Sequence, residues 1–147
     1  MSGPVETHRG MVRREHCDHF GHMNVQFYDA ALSDAFFYMM NLIGLGRAEV
    51  ERRRIGLAAI EMTLNYRREL RPGDHFKVET GFLRFESREL HTAHRMIRLS
   101  DGKLALTARS SGLPLDLDRR RRTEIPEDIV QAAQAYISAP SEFGYDD

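Results

Sequence analysis

Two periods of apolar residues divide the chain. From Val25 to Ile43 the spacing is helical: Val25, Tyr28, Leu32, Ala35, Phe36, Met39 and Ile43 recur every three or four residues. Asn24 is placed to cap the start, and Gly44 and Gly46 to end it. Phe27, Ala31, Phe37, Met40 and Leu42 widen the apolar arc until only Gln26, Asp29, Ser33, Asp34 and Asn41 stay polar. A helix so apolar is expected to be largely enclosed. Past a basic connector, ERRRIG (51–56), the period drops to two. In LAAIEMTLNYRREL (57–70), Ala58, Ile60, Met62, Leu64 and Tyr66 fall on one face, with Glu61, Thr63, Asn65 and Arg67 on the other. This is the pattern of a strand with one buried side. RPGD (71–74) supplies a turn, and HFKVETGFLRF (75–85) alternates again through Phe76, Val78, Thr80 and Phe82. ESR (86–88) interrupts, ELHTAHRMIRLS (89–100) runs to the hairpin dipeptide Asp101-Gly102, and KLALTARSSGLPLDL (103–117) forms the last long strand. Four strands joined by short turns predict an antiparallel meander. IPEDIVQAAQAYI (125–137) predicts a C-terminal helix with Pro126 near its start, and Val5 to Glu15 a first strand. The class is α+β, with the long helix in the concave side of the sheet, since no other element covers so wide an apolar surface.

Composition narrows the possibilities. At 147 residues, 41% hydrophobic and 29% charged, the chain is expected to hold one domain, residues 1–138, followed by a small, polar and acidic tail, 139–147. The formal charge of -1, from 22 acidic and 21 basic residues, gives no electrostatic reason for nucleic acid or an anionic membrane as main partner. The first residues lack the apolar core of a signal peptide, and no run approaches the roughly 20 apolar residues that span a bilayer. The single cysteine, Cys17, has no intrachain partner. A cytoplasmic setting is therefore expected.

Ahead of the helix, the stretch REHCDHFGHMN (14–24) crowds three histidines, a cysteine and an aspartate between His16 and His22. CDHFGHMN (17–24) resembles the D-x-x-G-H-x-N motif that precedes the central helix in the 4-hydroxybenzoyl-CoA thioesterase-like family of hot-dog enzymes. FGHMNVQFY (20–28) is similar to the branch associated with carnitine and betaine metabolism, and RRELRPGD (67–74) to the family's closure of its second strand. The resemblance covers most of the chain. It implies a hot-dog fold, an antiparallel sheet of about five strands around one long helix, with two subunits joined edge to edge as a dimer or tetramer. It also implies an acyl-CoA thioesterase acting on a small or medium acyl-CoA, with no metal or redox cofactor and coenzyme A present only as part of the substrate.

That chemistry needs a group to attack or activate water and something to hold the charge that gathers on the carbonyl oxygen. The first helical turn, around His22 to Val25, offers free backbone N–H groups and the positive end of the macrodipole. Asp18 matches the family's aspartate, which acts as nucleophile or general base. Asn24 caps the helix and fixes the loop, and His22 orients water or bonds backbone. Gly21 gives the sharp turn or close approach. Met23, Val25, Tyr28 and Arg67 complete the expected substrate contacts, Arg67 among several arginines, Arg119 to Arg122 included, able to meet phosphates. Arg14 and Val25 stand where one bacterial branch places a tyrosine and a histidine, so that set is absent; Glu61 is the nearest counterpart to a glutamate used by other hot-dog enzymes. Two further readings remain: a module that binds an acyl or aryl ligand without turnover, and a metal-dependent enzyme built on His16, His19 and His22. Cys17 has no clear histidine base.

Overall fold

The computed structural model describes residues 3–144. Strand β1 (Val5–Met11) leads through a 3₁₀ turn at Arg14–His16 to helix α1 (Val25–Leu42). Asn24, in an extended conformation, accepts the Gln26 N–H on its Oδ1 at 3.1 Å and starts the helix. Gly44 ends it at φ 91°, a left-handed position glycine takes without strain, while the Leu45 N–H closes back on Met40 O at 2.9 Å. The basic connector is itself partly helical: α2 (Arg47–Arg53) precedes β2 (Ile55–Tyr66). Apart from Ala48 its only apolar residue is Val50, so no periodicity announced it. Instead the Arg53 guanidinium ties it down, reaching Glu49 and Asp128.

Strands β3 (His75–Phe85), β4 (Leu90–Arg98) and β5 (Leu104–Asp116) follow, then a two-residue β6 (Arg121–Arg122) and helix α3 (Glu127–Ala133), prolonged by a 3₁₀ turn. The sheet order is β1-β3-β4-β5-β2, antiparallel throughout, with β6 added on β5. It wraps α1 in the hot-dog arrangement. Leu32 and Ala35, near the middle of the helix, pack with Val78, Met96 and Leu106. Met39, near its end, and Ile43, just past it, pack with Phe82, Leu90 and Ile129 of α3. Each such side chain larger than alanine contributes about 1.5–3 kcal/mol by leaving water.

Three expectations are corrected. Helix α1 is covered on the sheet side only: Val25 is 57%, Phe37 66% and Tyr38 49% exposed, and Phe37 stands on the flank towards β2. On β2 the alternation slips at a bulge between Ala59 and Glu61, which turns Ile60 outward while Met62 and Leu64 still meet the core. Tyr66, expected inside, is 50% exposed at the strand's end. The stretch expected as a tail has structure of its own. Ser138 N–H bonds Phe82 O at 2.8 Å, and a 3₁₀ turn at Pro140–Phe143 buries Phe143 completely. Only residues 145–147 of that stretch, with 1–2 at the other end, lie outside the described residues.

Polar groups also enter the core. A bulge in β1 turns Thr7 inward, where its hydroxyl donates to Val78 O and lies 2.8 Å from Thr80 Oγ1, itself 2.7 Å from His94 Nδ1. His94 is wholly buried and its Nε2 finds no partner among the described residues, so burial pushes its pKa down to about 4. No helix among the described residues is long and apolar enough to cross a membrane.

Candidate active site

The loop before α1 is closed by its own backbone. Gly21 N–H donates to Asp18 O at 3.0 Å, with Gly21 at φ 86°. Asn24 N–H donates to His16 O at 2.9 Å and Met23 N–H to Leu70 O at 2.7 Å. Cys17 and Met23 are thereby paired across the loop, which is docked on the segment that follows β2.

Inside this loop the Asp18 carboxylate is doubly held. Its Oδ2 accepts from Asn24 Nδ2 at 2.8 Å and its Oδ1 from the Phe20 N–H at 2.9 Å. These bonds, Asn24's first, hold its pKa below the usual carboxylate range, with smaller help from His22 and His19. Asp18 is therefore a carboxylate at neutral pH. Asn24 does two jobs at once, capping α1 through Oδ1 and gripping Asp18 through Nδ2, and so links the acid to the helix tip. At that tip the Val25 N–H has no partner among the described residues.

Beside the tip lies a cleft of about 320 Å³. His22, Met23, Val25, Tyr28 and Arg67, five of the expected site residues, line it; Asp18, Gly21 and Asn24 do not, and stand in the adjoining loop. Tyr28 is buried and meets Tyr66 edge-on at 5.3 Å, and burial raises its pKa, so its phenol stays protonated. His22 Nε2 is 3.6 Å from Glu69 Oε2. The exposed Arg67 reaches away from the cleft with its head, donating to Gly144 O at 3.2 Å. Tyr66 and Glu69 were missed as lining residues. The signal lay in RREL, whose docking on the Met23 backbone puts the residues just after β2 against the helix tip.

The histidines diverge. His16 accepts the Arg13 N–H on Nδ1 and packs on Phe27, His19 packs on Phe20, and His22 faces Glu69. No group of three His, Cys, Asp or Glu side chains among the described residues is placed to hold a metal ion. Glu61 is exposed on the edge strand, away from this cleft. Burial and the neighbouring Asp18 raise the Cys17 pKa, so it is a thiol rather than a nucleophilic thiolate.

Residues 12–133 match the Thioesterase-like superfamily. The chain belongs to that family. Among solved structures, a hypothetical protein from Staphylococcus aureus in complex with CoA superposes with a TM-score of 0.83 at 25% identity, over 97% of this chain and 94% of that one. A hypothetical protein from Thermus thermophilus gives 0.76 at 28% identity, over 85% and 94%. A 1,4-dihydroxy-2-naphthoyl-CoA thioesterase from Synechocystis shares the fold at 12% identity, with a TM-score of 0.77 over 89% and 96%.

Proposed function

We propose that this thioesterase-family chain hydrolyses a small or medium acyl-CoA to the free acid and CoA. One observation carries the reading: Asn24 joins an ionised Asp18 to the tip of an 18-residue helix whose first N–H has no partner among the described residues, next to an open cleft. The S. aureus relative solved with CoA supports coenzyme A as the carrier. The thioester oxygen meets the Val25 N–H and the helix dipole, which stabilise the charge developing there. An Asp18 oxygen attacks the carbonyl carbon, the C–S bond breaks, and CoA leaves as its thiolate to take a proton from water. Water then opens the mixed anhydride, releasing the acid and restoring the carboxylate. Each Asp18 oxygen accepts one hydrogen bond and keeps a second lone pair free. The lowered pKa favours this nucleophilic role over general-base catalysis, for which a pKa near the working pH is best.

The functional unit is a homo-oligomer, dimer or tetramer. The 12-residue β2 is an unpaired edge beside the uncovered flank of α1, and both expose large apolar side chains. Such edges are rarely left open. The cytoplasmic setting belongs to the same proposal, supported by the lone thiol. Placement in the carnitine- and betaine-associated branch rests on the Gly21–Val25 run.

Thiol release from a panel of acyl-CoAs, including carnitine- and betaine-derived ones, tests the reading against a blank that accounts for Cys17. Asp18→Asn should fold normally and lose on the order of 10²–10⁴-fold in kcat. A binding module without turnover is the second reading, favoured by the position of Asp18, which does not line the cleft and accepts two hydrogen bonds from its own loop. Tight CoA-thioester binding with no thiol released would establish it.

A further inference from the structure

A second cavity, of about 240 Å³, lies one to two turns further along α1 on the same flank as the cleft. Leu32 and Phe36 of the helix and Met62 of β2 give it apolar walls, while β4 and β5 contribute Thr92 and Ser110. Those two residues are cross-strand partners, so their side chains stand together on the inner face of the sheet. Thr92 is 1% exposed, and its hydroxyl has no hydrogen-bond partner among the described residues. Folded proteins seldom leave such a group orphaned, because a buried unpaired hydroxyl is destabilising. Asp29 and Ser33, which also line the cavity, are exposed to solvent whereas Thr92 is not, so its missing partner comes from whatever fills the cavity.

We infer that this cavity receives the far end of the acyl group, and that Thr92, with Ser110 beside it, selects acyl groups carrying a hydroxyl or carbonyl there over plain alkyl groups of equal length. The inference rests on the thioesterase reading above. From Val25 to Leu32 the helix rises about 10 Å, so the polar group recognised is distal rather than next to the thioester. A site built to pair a substrate hydroxyl rejects the analogue that lacks it, because its own polar group is then stranded.

The test compares acyl-CoAs matched in length, with and without a terminal hydroxyl or oxo group, by kcat/KM and by calorimetric Kd. The wild type should favour the polar member by roughly tenfold or more. Thr92→Val should bring the ratio close to one, and Thr92→Ser should keep it. Replacing an orphan hydroxyl by a methyl of the same shape removes a desolvation penalty, so Thr92→Val should also melt no lower than the wild type without ligand. A residue with a purely structural hydrogen bond would melt lower and leave the ratio unmoved. A wild-type ratio near one, or a ratio unchanged by Thr92→Val, overturns the inference and leaves the hydroxyl to a buried water. If no thioester is hydrolysed the thioesterase reading falls, while the Kd ratio still decides whether the cavity selects polar acyl groups.

Discussion

The two flanks of α1 are built from similar residues and meet different fates. Towards the middle of the sheet, Ala35 and Met39 are completely buried, held by strands whose register is pinned on both sides. Towards β2 the helix shows Phe37, leaves two cavities and faces a strand paired on one side only. Apolar periodicity thus reports how much of a helix avoids water without saying which partner covers it. The covered flank supplies stability. The open flank supplies room for a ligand and a surface for a second subunit, and the expected chemistry gathers at the end of the helix where the two meet.

Paired truncations should break this symmetry of composition. Met39→Ala on the covered flank removes a fully buried side chain and should cost about 2–5 kcal/mol, read as a lower denaturation midpoint at unchanged slope. Acid should single out the same flank. His94 is neutral in the fold with a pKa of about 4 against an ordinary 6.5, so between those values the unfolded chain binds the extra proton. Stability should be complete above about pH 6.5 and fall by roughly 3 kcal/mol as the pH drops to about 4, and His94→Gln should flatten that slope. The smallest change in chain stability, within about 0.5 kcal/mol, is expected for Phe37→Ser on the open flank, while sedimentation should show the assembly weakened. A Phe37→Ser loss as large as that of Met39→Ala would erase the distinction.

Strands β3, β4 and β5 and the span of α1 were legible because long alternation, a capping asparagine and Gly44 act through near neighbours. The slip at Ile60 was not, since a bulge is defined by the partner strand: Ala59 faces Gly112 and Glu61 faces Ser111, with Ile60 left over. Helix α2 escaped for want of apolar repeats, and the docked chain end because one phenylalanine carries no period. At the site, the motif made Asp18, Gly21 and Asn24 readable as a unit, and their hydrogen bonds do join them. His22 with Glu69 was hidden by a separation of 47 positions, a distance only the fold closes. Thr92 and His94 stood inside an alternating strand, where sequence offers no sign that a polar side chain faces inward unpaired.

The docked end of the chain sets terms for anyone who handles this protein. Arg95 of β4 and Arg67, just past the end of β2, grip the carbonyls of Glu142 and Gly144, and a methyl group added at Gly81 would sit 2.3 Å from the Ser138 hydroxyl. A purification tag joined after the final residue leaves this clasp shut. Trimming the chain at residue 138 would unfasten it, baring the small-residue seam under Phe143 and inviting precipitation.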